Sequence, residues 1–100
     1  MSNILYIKFY MYNYNMLYRY KVIVKLKNGV KDAKGEAVKN VLQNIQPDVK
    51  NSFVHVGKYF EFDIEAIDKV NAQSKAINII EEVFLNPILE TYDILEVETL

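Results

Sequence analysis

The side chains that could do chemistry are few in this chain, and they do not converge. His55 is the only histidine. As a general acid or base it would need a second titratable group within hydrogen-bond reach in a cleft, but it falls in the middle of a strand pattern. Cysteine is absent, which removes thiolate nucleophiles, disulfides and thiolate metal sites. One histidine and no cysteine also leave no zinc-type ligand spacing. The carboxylates Glu81, Glu82, Glu90, Asp93, Glu96 and Glu98 are scattered over a helix end and a strand. No pair among them has environments that would separate an acid from a base. No serine or threonine stands in a nucleophile-elbow context. Asn28-Gly29-Val30-Lys31 and Ala33-Lys34-Gly35 lack the glycine density of a phosphate loop. Lysines near the start of a helix could still meet an anion there. The chemistry on offer is therefore recognition. Six residues are its candidates, as an interface: Ile23, Val54, Val56, Gly57, Lys58 and Tyr59.

The totals agree with that. One hundred residues make one domain with a modest core, and 51% of them are apolar. So much apolar surface in so small a domain implies that another chain covers part of it. The formal charge of −1 supplies no electrostatic reason to seek nucleic acid or an anionic membrane. No run of about 20 apolar residues is present to span a bilayer, and the lack of cysteine fits a reducing cytoplasm.

The elements that position these residues follow from periodicity. Tyr18 to Lys27 alternates as a strand, with Tyr20, Val22, Val24 and Leu26 on one face and Arg19, Lys21, Ile23 and Lys25 on the other. Asn28-Gly29 ends it as a turn. Asp32 suits a helix N-cap, and Val38, Val41, Leu42 and Ile45 recur at helical spacing over Ala33 to Ile45. Gln46-Pro47-Asp48 breaks that helix. Two strands are predicted at Val49–Val56 and Tyr59–Ile64. Gly57-Lys58 between them suits a two-residue type II′ turn, which places glycine first. That register sets Val56 opposite Tyr59, His55 opposite Phe60, Val54 opposite Glu61 and Phe53 opposite Phe62. A second helix starts near Asp68 or Asn71, carries Ile77, Ile80, Val83 and Phe84 as its stripe, and stops at Asn86-Pro87. Thr91 to Val97 is the last strand, with Ile94 on one face and Leu95 and Val97 on the other.

The order β-α-β-β-α-β implies an α+β, two-layer, ferredoxin-like antiparallel sheet with both helices on one face. Its open face would hold Lys21 and Lys25 beside Glu61 and Asp63, with Ile23, Val54, Val56 and Tyr59 among them. An apolar group ringed by paired charges suits a homo-oligomer interface; an ordinary solvated sheet face is the alternative. RNA-recognition modules of this topology need stacked aromatics on that face, and Tyr59 alone does not supply them. Met1 to Leu17 precedes the domain, which is taken as residues 18–100. Leu5, Ile7, Phe9 and Met11 alternate with polar and tyrosine neighbours, so this stretch is either a real extension with a possible strand or an over-long start before Met16.

Several segments, in this order and spacing, resemble the PurS subunit family of phosphoribosylformylglycinamidine synthase. They are Tyr20-Lys21-Val22-Ile23-Val24, Lys27 through Ala37 with its Asp32-Ala33-Lys34-Gly35 core, Val56-Gly57-Lys58-Tyr59-Phe60-Glu61-Phe62, and Leu85 through Ile94 around Asn86-Pro87. The resemblance covers about Tyr18 to Val97. Ala33 stands where the family commonly has proline, a residue favoured but not required at that position. The resemblance implies a chain with no active site and no bound cofactor. It would be a dimeric or tetrameric adaptor in the cytoplasm, within a purine-biosynthetic ligase complex. Its implied partners are a glutaminase subunit and a large synthetase subunit that uses ATP and magnesium, with ammonia passing between them. A small-molecule-binding regulatory module of the ACT type shares the topology and is the alternative reading.

Overall fold

The structure, a computed structural model, describes residues 15–49 and 53–100. Among the described residues, three strands form one antiparallel sheet: β1 (Met16–Leu26), β2 (Lys58–Ala66) and β3 (Glu90–Thr99), in the order β2-β1-β3. Two helices accompany it, α1 (Ala33–Ile45) and α2 (Lys69–Ile79), the latter continued by a π turn over Ile80–Phe84. This is the α+β class that the periodicity predicts.

The central strand earns its place by strict alternation. Tyr18, Tyr20, Val22 and Val24 are buried under α2, while Arg19, Lys21, Ile23 and Lys25 face away. The register places Phe62 beside Tyr20, Phe60 beside Val22 and Ile64 beside Tyr18, so β2 turns its apolar side the same way. α2 closes this layer. Asp68 caps it by accepting from Asn71 N at 2.7 Å, and Asn71 Oδ1 accepts from Ile67 N at 3.2 Å. This reciprocal pair satisfies two donors at once, as in a capping box. Ala72, Ala76 and Ile80 form the buried stripe of α2 and its π turn. The two alanines let the helix axis approach the sheet closely. The π turn then brings Phe84 onto Phe60 as a parallel stack at 4.0 Å and leaves Val83 in solvent. The predicted stripe is thus corrected: Ile80 and Phe84 belong to it, and Val83 does not.

Three other expectations are revised. First, β3 has a register shift where Lys21 pairs with Glu96 and Val22 with Ile94, so Leu95 is the extra residue of a bulge. The bulge turns Val97 to the helix side with Ile94, and Leu95 projects into solvent. Second, the predicted strand Val49–Val56 does not join the sheet. Phe53 to Gly57 carries no strand pairing, and Lys50, Asn51 and Ser52 lie outside the described residues. Gly29 is the only described glycine with positive φ, at 86°. Gly57 therefore does not make the type II′ turn that the hairpin required, and the chain runs directly into β2. Third, α1 makes no contact with the strands or with α2 comparable to that of α2 with β2 and β1. The possible strand around Leu5 to Met11 lies outside the described residues. Met16 and Leu17 pair with Ala66 and Glu65, so β1 starts earlier than predicted.

Candidate interaction site

Two surfaces of the molecule are equipped for recognition. The first is the open face of the sheet. The basic residues of β1 stand between acidic residues on both outer strands, so each finds a partner. Arg19 binds Asp63 through Nε–Oδ1 at 2.8 Å and Nη2–Oδ2 at 3.0 Å, with Glu61 at 3.8 Å. Lys21 meets Glu96 at 2.9 Å, and Lys25 meets Asp93 at 3.6 Å. The hydrogen bond from Arg19 holds the Asp63 carboxyl below the usual aspartate value. The sequence places all three cations on this face, but pairs Lys21 and Lys25 with the acids of β2. β3 supplies their partners instead, and Arg19 takes those of β2. Two of the six candidate residues sit together here: Ile23 lies opposite Tyr59, and the Tyr59 hydroxyl donates to Glu61 at 3.3 Å.

Of the other four, Gly57 adjoins this pair, since a Cβ there would lie 3.0 Å from Val24 O and 3.5 Å from the Ile23 side chain. Val54 and Val56 precede β2 and gather at the start of α1. There Asp32 acts as a hub. Its Oδ1 accepts from Gly35 N at 2.8 Å, and its Oδ2 accepts from Val56 N at 3.0 Å. His55 Nδ1 stands 3.6 Å from the same oxygen. The two amides, Gly35 first, hold the Asp32 carboxyl below its ordinary value. Gly35 is the one buried residue of α1. A Cβ at that position would run into the Val54 carbonyl oxygen, so the absence of a side chain is what allows helix and segment to touch. At the far end, Gln43 Nε2 donates to Val49 O at 3.0 Å. α1 and the return segment thus form one arm, clamped at two points. Lys58 opens β2 and pairs with Glu90 at 3.2 Å. Glu90 also accepts from Asn86 N at 2.8 Å, the larger cause of its lowered pKa. An open cavity of about 380 Å³ separates the hub from this pair.

The second surface is the outer side of that arm. Val38 is 42% exposed, Val41 56%, Leu42 37% and Ile45 74%. This is the apolar stripe that periodicity assigns to a core, and nothing in the described chain covers it. His55, predicted on the helix-facing side of the sheet, is instead half exposed beside Asp32, with its ring 4.8 Å from that of Phe53.

The arrangement suits adhesion. Every carboxylate drawn into these clusters is engaged by an amide or a cation. Among the described residues, no group of three or more histidine, cysteine or acidic side chains could hold a metal. No described helix is long and apolar enough to cross a membrane. Asp32 and Arg19 are the residues that sequence reasoning undervalued. The aspartate read only as a helix cap, and the signal for its second role is Gly35 three residues on, a glycine inside a helix.

Comparison with known proteins gives a consistent answer. The family model described as PurS, phosphoribosylformylglycinamidine (FGAM) synthase, matches residues 19–98. A phosphoribosylformylglycinamidine synthase subunit PurS from Thermotoga maritima is 26% identical over 80 residues, covering 80% of this chain and 96% of its own. The solved structure of Thermus thermophilus PurS superposes with a TM-score of 0.72 at 28% identity, over 84% of this chain and 98% of that one. A chain in the structure of PurLQS from Thermotoga maritima gives 0.69 at 27% identity, over 84% and 98%.

Proposed function

The chain belongs to the PurS family of phosphoribosylformylglycinamidine synthase, and on that footing we propose that it is the small adaptor subunit of that enzyme in purine biosynthesis. It holds a glutaminase subunit against a large synthetase subunit, in the cytoplasm, as a homo-oligomer. The synthetase binds ATP and magnesium; this chain binds neither and contributes no reactive group. The observation that carries the reading is the uncovered α1 stripe in a chain of this family. Four aliphatic side chains at helical spacing stay in water although the helix is well capped, as expected of a subunit built to be met by others. The relative found within PurLQS supports membership of a multisubunit assembly.

The role has a physical logic. Ammonia released into solvent is protonated or diffuses away. A donor site and an acceptor site therefore gain from being held in fixed relation with water excluded between them. Reconstitution tests this. Glutaminase and synthetase together should use glutamine poorly without this chain and well with it, while added ammonia should bypass the need. Full glutamine-dependent turnover without the chain would remove the proposal.

A further inference from the structure

We propose that residues 5–11, which precede the sheet in the chain, add a fourth strand along the outer edge of β3. The first support is the edge itself. In the order β2-β1-β3, no described strand pairs with the far side of β3. Glu90–Thr99 therefore presents a row of open backbone donors and acceptors there. Leu95 and Val97 stand 57% and 43% exposed along it. A long edge with apolar side chains is a template for strand addition. The second support is a stretch that the family does not account for. The family model begins at residue 19. Ahead of it, Leu5, Ile7, Phe9 and Met11 alternate with Tyr6, Lys8, Tyr10 and Tyr12, which is a strand pattern.

Reach and chemistry both select β3. β1 begins at Met16, and Leu17 O accepts from Leu100 N at 2.8 Å, so the chain enters the sheet beside the last residues of β3. On the other flank, Ile67 and Asp68 follow Ala66 directly and turn the chain into α2. The outer side of β3 lies two strand spacings from β1, roughly 10 Å. The four steps from Tyr12 to Met16 span up to about 14 Å when extended, enough to pass the end of β3. The added strand runs parallel to β3, because it heads for the start of β1, where β3 ends. Side chains sort correctly in that frame. With odd-numbered residues on the helix side, Leu5, Ile7, Phe9 and Met11 continue the apolar row of Ile94 and Val97. Even-numbered residues then join Asp93, Glu96 and Glu98 on the open face, where these acids lie opposite Ile23, Lys21 and Arg19. β3 holds four carboxylates and no cation. Lys8 is the one charged side chain among residues 1–15. It comes level with Asp93 and Glu96, and the tyrosine hydroxyls beside it can donate to the same carboxylates. A slip of one residue would set the apolar row among the charges, so the alternation selects this facing.

Amide exchange of the full chain against a version that starts at Met16 tests the inference. β3 amides should exchange at least ten-fold faster in the shortened chain, with β1 amides unchanged. Where the shortened chain does not fold, Ile7→Asp with Phe9→Asp in the full chain should produce the same selective loss. In the unaltered protein at high dilution, carbodiimide should join Lys8 to Asp93 or Glu96 within one chain, and Lys8→Gln should remove that product. Equal β3 exchange with and without the segment would overturn the proposal. So would a gain of exchange in β2 instead of β3. Protection of β3 that arises only as concentration rises would make the segment a contact between copies and equally overturn it. An intact mass showing that the native chain begins at Met16 would do the same. None of these outcomes touches the adaptor reading, which glutamine-dependent turnover scores separately.

Discussion

The two helices of this chain are built to opposite plans. α2 is nearly devoid of large apolar residues in its first turns, yet Ala72, Ala76 and Ile80 are fully buried against the sheet. α1 has the cleaner amphipathic stripe, yet its four aliphatic positions stand in water. Small residues in α2 allow the helix axis close to β1 and β2, where burial and dispersion are gained over a whole face. Among the described residues, α1 is fastened through its first turn and Gln43. The contrast teaches that an apolar stripe declares a need for cover without saying which chain provides it, whereas small residues at i, i+4 declare close contact within the fold.

Substitutions can break or sharpen this contrast. Ile80→Ala empties a fully buried site in the body and should cost about 2–5 kcal/mol of stability in chemical denaturation. Ile45→Ala should change the same measurement by under about 0.5 kcal/mol at high dilution, because the side chain is exposed there. If both cost the same, the division into body and arm fails.

The arm should answer to concentration. Val41→Glu with Ile45→Glu should leave the secondary structure of the body intact and weaken self-association at least ten-fold in sedimentation equilibrium. Unchanged association would show that α1 remains solvated in the oligomer. Gly35→Ala tests the internal clamp, since a methyl group there meets the Val54 carbonyl. It should destabilise the arm by about 1–3 kcal/mol as overpacking, read as faster amide exchange in α1 with β1 unaffected.

Acid should loosen the arm. Asp32 is held below its ordinary value of 3.8 by two backbone amides, so the clamp is fully present above that value. It is lost as pH falls through the lowered folded value, because only the unfolded state gains protons readily in that range. Amide exchange at Gly35 and Val56 should rise there, and Asp32→Asn should abolish this component. Asp63 and Glu90 are also lowered. Persistence of the effect in the variant would assign it to them. The smallest change is expected on the open sheet face. Lys25→Ala removes a 3.6 Å exposed ion pair and should fall within measurement error at physiological salt.

Most of the body was legible in the residues. The alternation of Tyr18 to Val24 specifies both the strand and its buried face. Asp68 and Asn71 mark the start of α2, and Asn86-Pro87 its end. The β3 bulge was hidden, because an extra residue leaves no local signature when apolar residues occur at both Ile94 and Leu95. The π turn was hidden for a similar reason: Val83 and Phe84 are both apolar, and only the ring stack on Phe60 decides between them. The candidate site was half legible. Ile23 and Tyr59 do share a face, but Val54 and Val56 were assigned to it through a hairpin whose turn residue is present and whose turn is not. The Gly-Lys pair marks a turn by local preference alone, and Gly57 does not take the positive φ which that turn needs. Gly35 recorded the arm's clamp, but a glycine within a helix says only that something approaches, not what.

Hydrogen exchange of the unaltered chain across a dilution series tests this account most directly. Protection of the β1 amides should stay constant, while that of the α1 amides should rise steeply with protein concentration as the arm gains its cover. Equal and concentration-independent protection in the two elements would contradict it, because α1 would then be as self-sufficient as the sheet.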